Sequence, residues 1–176
     1  MVFTGLKITG DVSFADDSKK LSSKQREEMV EKIKLNSEFF TVITTAKEID
    51  DFGLSEMIKK SLEIIINKFG NDANFLYDGN KSFGVDNPNL ETLVKADALV
   101  KGVGAASIIA KHTKDLLMLE HHKIFPQYNF AQNAGYATKH HIEAIKKYGY
   151  CELHRMSYKV KELVEWENKK MVDLLF

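Results

Sequence analysis

Two periods of apolar residues alternate along the chain, and the alternation predicts a fold before any single residue is considered. Met1–Ile8 (MVFTGLKI) is rich in β-branched and aromatic residues and reads as a buried strand. After the polar stretch Gly10–Asp16, Ser22 and Gln25 have the spacing of a capping box, ahead of a helix whose apolar face holds Met29, Val30 and Ile33. Phe39–Ala46 (FFTVITTA) is a second strand, and Lys47–Asp51 is a short helical turn ending at Gly53. Leu54, Met57, Ile58, Leu62, Ile65, Ile66 and Phe69 fall on one face of a helix that Gly70 stops. Asn74–Tyr77 and Leu90–Lys95 are short strands. Lys95–Asp115 (KADALVKGVGAASIIAKHTKD) then leads into a long helix that continues to about His122. On that helix Ala105, Ile108, Ile109, His112, Leu116 and Leu119 recur at helical spacing, so the face they share should be packed throughout. Gly102, Gly104, Ala105, Ala106 and Ser107 crowd its start, which predicts a close approach of something to its backbone. Ile124–Ala137 is irregular around Pro126, Thr138–Tyr148 is a helix ending at Gly149, and Lys159–Phe176 is mostly helical. Alternating strands and helices predict an α/β protein, and no linker or repeat divides it, so residues 1–176 are expected to form a single domain with 138–176 as its helical C-terminal part.

Composition changes this picture little; distribution changes it more. An apolar fraction of 44% and a charged fraction of 28% over 176 residues suit a globule with a substantial core. The zero net charge alone predicts no affinity for nucleic acid. Yet residues 101–160 hold nine Lys and Arg against four acids, together with all six histidines, so the remainder is acidic by the same margin. That asymmetry suits a site taking cations on one side and a polyanion on the other, and it also arises by chance. A lone cysteine, Cys151, excludes an internal disulfide and fits a reducing compartment. No run reaches the roughly 18 apolar residues of a membrane span. With no basic-then-apolar leader in the sequence, the protein is expected to be cytoplasmic, away from membranes and monomeric.

The candidate chemistry lies in two acids. Asp78 and Asp97 each follow a strand-like segment, and in an open α/β sheet ligands bind at the C-terminal edge of the strands. Paired carboxylates there are hard oxygen ligands suited to Mg²⁺ or Mn²⁺. The same residues have plainer readings: Asp78-Gly79-Asn80 as a tight turn, and Asp97 as an acid near the start of a core helix. The histidine spacing lacks the i, i+4 pair of a helical zinc site, and GVGAAS fits neither a dinucleotide nor a P-loop fingerprint.

Seven segments in order carry a resemblance: DSKKLS at Asp17–Ser22, LYDGN at Leu76–Asn80, KAD at Lys95–Asp97 and AASIIAKHTKD at Ala105–Asp115 in the first part of the chain, then GYATKHH at Gly135–His141, AIKKYG at Ala144–Gly149 and HRMSY at His154–Tyr158. Together they resemble ribonuclease HII, the type 2 ribonuclease H family. The resemblance implies a ribonuclease H-like mixed β-sheet flanked by helices, with a C-terminal helical segment that binds substrate. It implies a metal-dependent endonuclease, using Mn²⁺ or Mg²⁺, that cuts the RNA strand of RNA–DNA hybrids and cuts 5′ of ribonucleotides embedded in a DNA duplex, as in ribonucleotide excision repair. Asp78 and Asp97 match the third and fourth metal-binding carboxylates. Tyr136 matches the ring that stacks on the sugar beside the ribonucleotide. Lys19, Lys20, Lys139 and Arg155 become candidates for phosphate contacts, and Ser157, with His154, for orienting the C-terminal segment over the hybrid. By residue type alone, the Tyr136 ring anchors a loop, each basic residue is a solvated charge, and Ser157 and His154 satisfy backbone groups.

The departures are as informative. The family opens with a strand carrying D-E-A-G-R-G, which supplies the first two carboxylates, and nothing in this chain matches it. Ala137 stands where the family usually has Gly, and His112 and Lys114 are smaller departures. The sequence thus reads as beginning just after that motif, with the first strand missing. Two-metal hydrolysis needs one ion to activate water and another to stabilise the leaving oxygen. With two of four carboxylates, the expectation is an impaired enzyme, the alternative being a non-catalytic remnant that binds hybrid duplex without cleaving it.

Overall fold

The computed structural model describes residues 1–15 and 21–173, with side chains to residue 170. The chain divides into two compact units, Met1–Thr44 with Phe52–Lys114, and Thr45–Asp51 with Asp115–Phe176. The first contains strands β1 (Val2–Ile8), β2 (Ser37–Ile43), β3 (Phe75–Asp78) and β4 (Leu90–Leu93), and helices α1 (Ser23–Leu35), α3 (Leu54–Phe69) and α4 (Ala96–Leu99). Helix α2 (Ala46–Phe52) falls mostly in the second unit. Helix α5 (Lys101–Ile124) runs from the first unit into the second, which also holds α6 (Phe130–Asn133), α7 (Lys139–Tyr148) and α8 (Lys161–Asp173).

In the first unit β1 and β2 form an antiparallel pair, Val2 opposite Ile43 through Ile8 opposite Ser37, while β3 and β4 form a parallel pair, Phe75 opposite Leu90 through Asp78 opposite Leu93. Helix α1 joins the antiparallel strands. Its capping box is formed as predicted: the Gln25 N–H donates to the Ser22 hydroxyl at 3.3 Å, and the Ser22 N–H donates to the Gln25 side chain at 3.0 Å. Alternation along β1 sends successive residues to opposite faces. Leu6 packs against a core of Ala15, Val30, Ile33, Ala105, Ile108 and Ile109, which joins α1 to α5. Gly5 faces the other way, and a Cβ there would collide with Ile65 of α3. Each of the buried isoleucines contributes on the order of 2 kcal/mol by leaving water.

Two predicted features are corrected here. Strand β1 is half-buried, with Ile8 51% exposed, because only one of its edges has a strand partner among the described residues. The packed face of α5 also stops early: Leu116 and Leu119 are about half exposed. The helix enters the second unit at Asp115, and Met118 takes over as its residue against that core. That core consists of Tyr128, Phe130, Ile142, Ala144, Ile145 and Leu163, so Leu163 of α8 packs on protein; Leu174, in the helical stretch expected over Lys159–Phe176, lies outside the described residues. No helix among the described residues is long and apolar enough to cross a membrane.

Candidate active site

The parallel pair β3–β4 brings the two candidate acids together. Asp78 is the last residue of β3, and the ladder closes just beyond it, where the Gly79 N–H donates to the Leu93 carbonyl at 3.1 Å. The strand predicted to run through Lys95 ends at Leu93, because Lys95 adopts the left-handed conformation (φ 60°, ψ 32°) and turns the chain into α4. Asp97 therefore sits in the first turn of α4 rather than at a strand end, as the sequence had suggested. The N–H of the buried Ala96 donates to Asp78 Oδ1 at 2.9 Å, which ties the end of β3 to the residue preceding Asp97. Asp78 is exposed and Asp97 half-buried.

The small residues at the start of α5 have their predicted use. A Cβ on Gly104 would lie 2.8 Å from the Asp97 carbonyl oxygen, so only glycine lets α5 pass this close behind α4. At Gly102 the nearest neighbour is the Ile8 side chain, at 2.7 Å. Between β1 and β3 runs a trough of about 570 Å³, lined among others by Phe3, Leu6, Ile65, Phe75, Asp78 and Asp97. Phe3 and Tyr77 stack at one wall, ring centroids 5.7 Å apart. Burial, and next the Asp78 carboxylate, push the Tyr77 phenol above its usual range. Another hollow, about 610 Å³, lies between α3 and the Asn87–Asn89 turn; its lining includes neither aspartate, so the trough is the candidate site.

As a donor set, two carboxylates are hard oxygen ligands that suit one divalent cation retaining several waters. They do not fit a pair of ions: among the described residues no group of three or more His, Cys, Asp or Glu converges on one point.

In the second unit, Tyr136 lies on the turn before α7 and is 62% exposed, Lys139 is the first residue of α7, and Arg155 and Ser157 belong to the segment between α7 and α8. Lys19 and Lys20 lie outside the described residues. Asp50 of α2 holds the Arg155–Ser157 segment: it accepts from the Met156 N–H at 2.7 Å, the Ser157 N–H at 2.9 Å and the Ser157 hydroxyl at 2.5 Å. These bonds, the Ser157 hydroxyl first, hold the Asp50 carboxyl below its usual range. Ser157 thus has its proton committed within the protein. The Arg155 guanidinium lies over the Tyr158 ring at 5.1 Å. Sequence reasoning missed Asp50, since no local spacing links it to a residue 107 positions later, and it missed the Ala96 amide, which is backbone and carries no sequence signal.

Solved structures place this fold among the ribonuclease H-like mixed α/β proteins. The chain superimposes with a TM-score of 0.75 on the ribonuclease HII in a PCNA:RNase HII complex from Archaeoglobus fulgidus, at 20% identity, covering 92% of this chain and 91% of that one. It superimposes with a TM-score of 0.69 on ribonuclease H2 from Pyrococcus horikoshii, also at 20% identity, covering 97% and 100%. A sequence profile described as Ribonuclease HII matches residues 13–161. The Ribonuclease HII of a Sulfurovum species is 44% identical over 165 residues, 94% of this chain and 86% of that protein, and that of Campylobacter jejuni is 42% identical over 160 residues, 91% and 83%. The chain belongs to the ribonuclease HII family. Membership makes it a hydrolase, a nuclease of the ribonuclease H type.

Proposed function

We propose that the trough with Asp78 and Asp97 is the nuclease centre, acting on RNA–DNA hybrids and on DNA duplexes with embedded ribonucleotides, and that residues 1–176 by themselves cut slowly. The observation that carries this reading is the bond between Asp78 and the Ala96 amide, which fixes one carboxylate beside the turn bearing the other. Asp78 and Asp97 would hold Mg²⁺ or Mn²⁺, and a bound ion of this kind supplies an activated water and neutralises charge on the scissile phosphate. Asp78 has one oxygen engaged with protein and is exposed, so the other would take the cation. Two carboxylates leave a second ion without most of its anchors, which supports slow turnover.

Recognition would fall to the second unit. The exposed Tyr136 ring offers a face for a sugar at an RNA–DNA junction, and Lys139 and Arg155 would pair with phosphates, which positions a duplex without reading its sequence. Hybrid duplexes differ from DNA in shape and in the 2′-hydroxyl, so base specificity is expected to be low.

The test is to incubate the 1–176 polypeptide and the Sulfurovum relative with a duplex carrying one ribonucleotide, in Mg²⁺ or Mn²⁺. The expected result is that both bind the duplex, that 1–176 cuts far more slowly, and that Asp78→Asn or Asp97→Asn abolishes the remaining cleavage. Cleavage at the relative's rate would overturn the impairment, survival of cleavage in both variants would overturn the site, and loss of all duplex binding would overturn the substrate class.

A further inference from the structure

Three hydrogen bonds in the second unit join into one chain. The Cys151 N–H donates to His154 Nδ1 at 2.9 Å, His154 Nε2 lies 3.0 Å from His141 Nε2, and His141 Nδ1 lies 2.9 Å from the Tyr136 carbonyl oxygen. A backbone amide only donates and a carbonyl only accepts, so the two ends fix every proton between them. His154 must accept at Nδ1 and therefore carries its hydrogen on Nε2. His141 must accept that hydrogen at Nε2 and therefore carries its own on Nδ1, which it donates to Tyr136. The Cys151 carbonyl also lies 3.2 Å from His154 Nδ1, but a hydrogen on that nitrogen would stand against the Cys151 N–H at 2.9 Å, so the shorter contact assigns Nδ1 the accepting role.

We propose that His141 and His154 are positioning residues for Tyr136: a neutral two-imidazole chain that transmits the fixed Cys151 backbone to the carbonyl of the residue whose ring meets substrate. That Tyr136 meets substrate rests on the function proposed above; the chain itself does not.

The turn has the character of something that needs such a tether. Ala134 and Gly135 both have positive φ, and the Tyr136 ring is mostly in solvent. The turn is held from its start by the buried Asn133, whose side-chain oxygen accepts the Gly135 N–H at 2.9 Å and whose carbonyl accepts the Tyr136 N–H at 2.8 Å. From its far side the Tyr136 carbonyl accepts the Thr138 N–H at 2.8 Å and the His141 ring. The rings are held in turn by aromatic walls: Tyr128 lies edge-on to His154 at 4.9 Å, Tyr150 at 5.6 Å, and Phe130 edge-on to His141 at 5.4 Å.

The chain has no place for a further proton. Adding one to His141 puts an N–H against the His154 N–H, and adding one to His154 puts an N–H against the Cys151 amide. The groups facing the pair are Tyr128 from the turn before α6, His141 from α7, and Tyr150 and Cys151 from the segment before α8, with Glu167 of α8 reached through the Tyr150 hydroxyl at 3.0 Å. Among the described residues no carboxylate lies against either ring, so acid breaks the chain between His141 and His154 and leaves the His141 N–H on the Tyr136 carbonyl without its ring anchor.

The experiment uses the full chain. Nitrogen-detected NMR of the imidazoles at neutral pH is expected to show His141 protonated on Nδ1 and His154 on Nε2; either ring in the other tautomer, or doubly protonated, overturns the proposal. Amide exchange at Thr138 is expected to rise by about fivefold in His141→Leu and to stay near the parent value in His141→Asn, whose side-chain amide can replace the Nδ1 donor. His154→Phe keeps the aromatic packing and serves as the second variant if His141→Leu fails to fold; it is expected to raise exchange in the same direction. Unchanged exchange in a folded His141→Leu or His154→Phe protein overturns the tether. Binding separates this from the reading beneath it. If Tyr136→Ala loses preference for a ribonucleotide-bearing duplex and His141→Leu keeps it, the positioning role fails while the role of Tyr136 stands. If Tyr136→Ala itself keeps that preference, the role of Tyr136 fails, and the positioning for substrate fails with it.

Discussion

The carboxylate of Asp78 accepts the backbone N–H of Ala96 at 2.9 Å, 18 residues on in sequence, and so fixes the spacing between the end of β3 and the turn that carries Asp97. One oxygen of Asp78 makes this bond, the other would take the proposed cation, and the two duties separate by substitution. Asp78→Asn keeps an oxygen that accepts from Ala96 and removes the charge. It should melt within about 1 kcal/mol of the parent and lose Mn²⁺ affinity in calorimetry. Asp78→Ala loses both and should be destabilised by roughly a further 1 kcal/mol in denaturant titration. Equal stability of the two variants would show that the bond carries no weight.

Gly104 tests the close approach behind Asp97. A Cβ there meets a backbone oxygen, which cannot rotate away, so Gly104→Ala should cost about 1–3 kcal/mol and weaken whatever Asp97 binds. At Gly102 the obstacle is the far end of the Ile8 side chain, which can move. Gly102→Ala should be near neutral, since alanine favours the helix by up to about 1 kcal/mol. Thermal melts of the pair check this ordering.

Asp50 makes a prediction about acid. Its carboxyl is held low by the Ser157 hydroxyl and by the amides of Ser157 and Met156, so the charged form is favoured in the folded chain. The stabilisation is present above the ordinary Asp value of 3.8 and is lost as pH falls through the lower folded value. The stability gap between the parent and Asp50→Asn should be flat near neutrality and close below pH 3.8. A gap that persists unchanged in strong acid would mean that shape, not charge, anchors the Arg155–Ser157 segment.

His154 acts at higher pH. Burial, and next the His141 ring, hold it below its ordinary value of 6.5, against an upward pull from the Cys151 carbonyl. The unfolded chain therefore takes up this proton before the folded one does, and stability falls as pH drops from 6.5 toward the folded value. The melting temperature should decline over that window, and less so in His154→Phe. Identical declines in both would assign the effect to other groups.

Much of this was legible in the sequence where local physics decides. The capping box at Ser22 and Gln25, the glycine stops at Gly70 and Gly149, and the α3 face from Met57 through Leu62, Ile65 and Ile66 formed as their spacing required, while Leu54 at the start of that face is exposed. The crowding of small residues before Ala105 found its reason in the Asp97 carbonyl. What spacing could not show were events set by backbone conformation or by distant chain. Lys95 turning left-handed moved Asp97 from a strand to a helix, and such a φ is rare enough in lysine to escape pattern reading. The partnership of Asp50 with Ser157 and the meeting of His141 with His154 depend on tertiary packing alone. The face of α5 was misread because the pattern continues across the point where one core gives way to another.

The trough between β1 and β3 has a consequence for handling the molecule. Two rows of backbone donors and acceptors border it without strand partners among the described residues, and apolar residues such as Phe3 and Leu6 are among its lining. Such borders are templates on which another extended chain can add itself. The Lys7–Glu38 pair, 3.9 Å apart, puts charge on the neighbouring β1–β2 ladder but does not block the trough. Concentrated solutions of this polypeptide should therefore turn cloudy below the temperature at which dilute ones melt, so that colloidal behaviour rather than fold stability sets the conditions under which it can be stored.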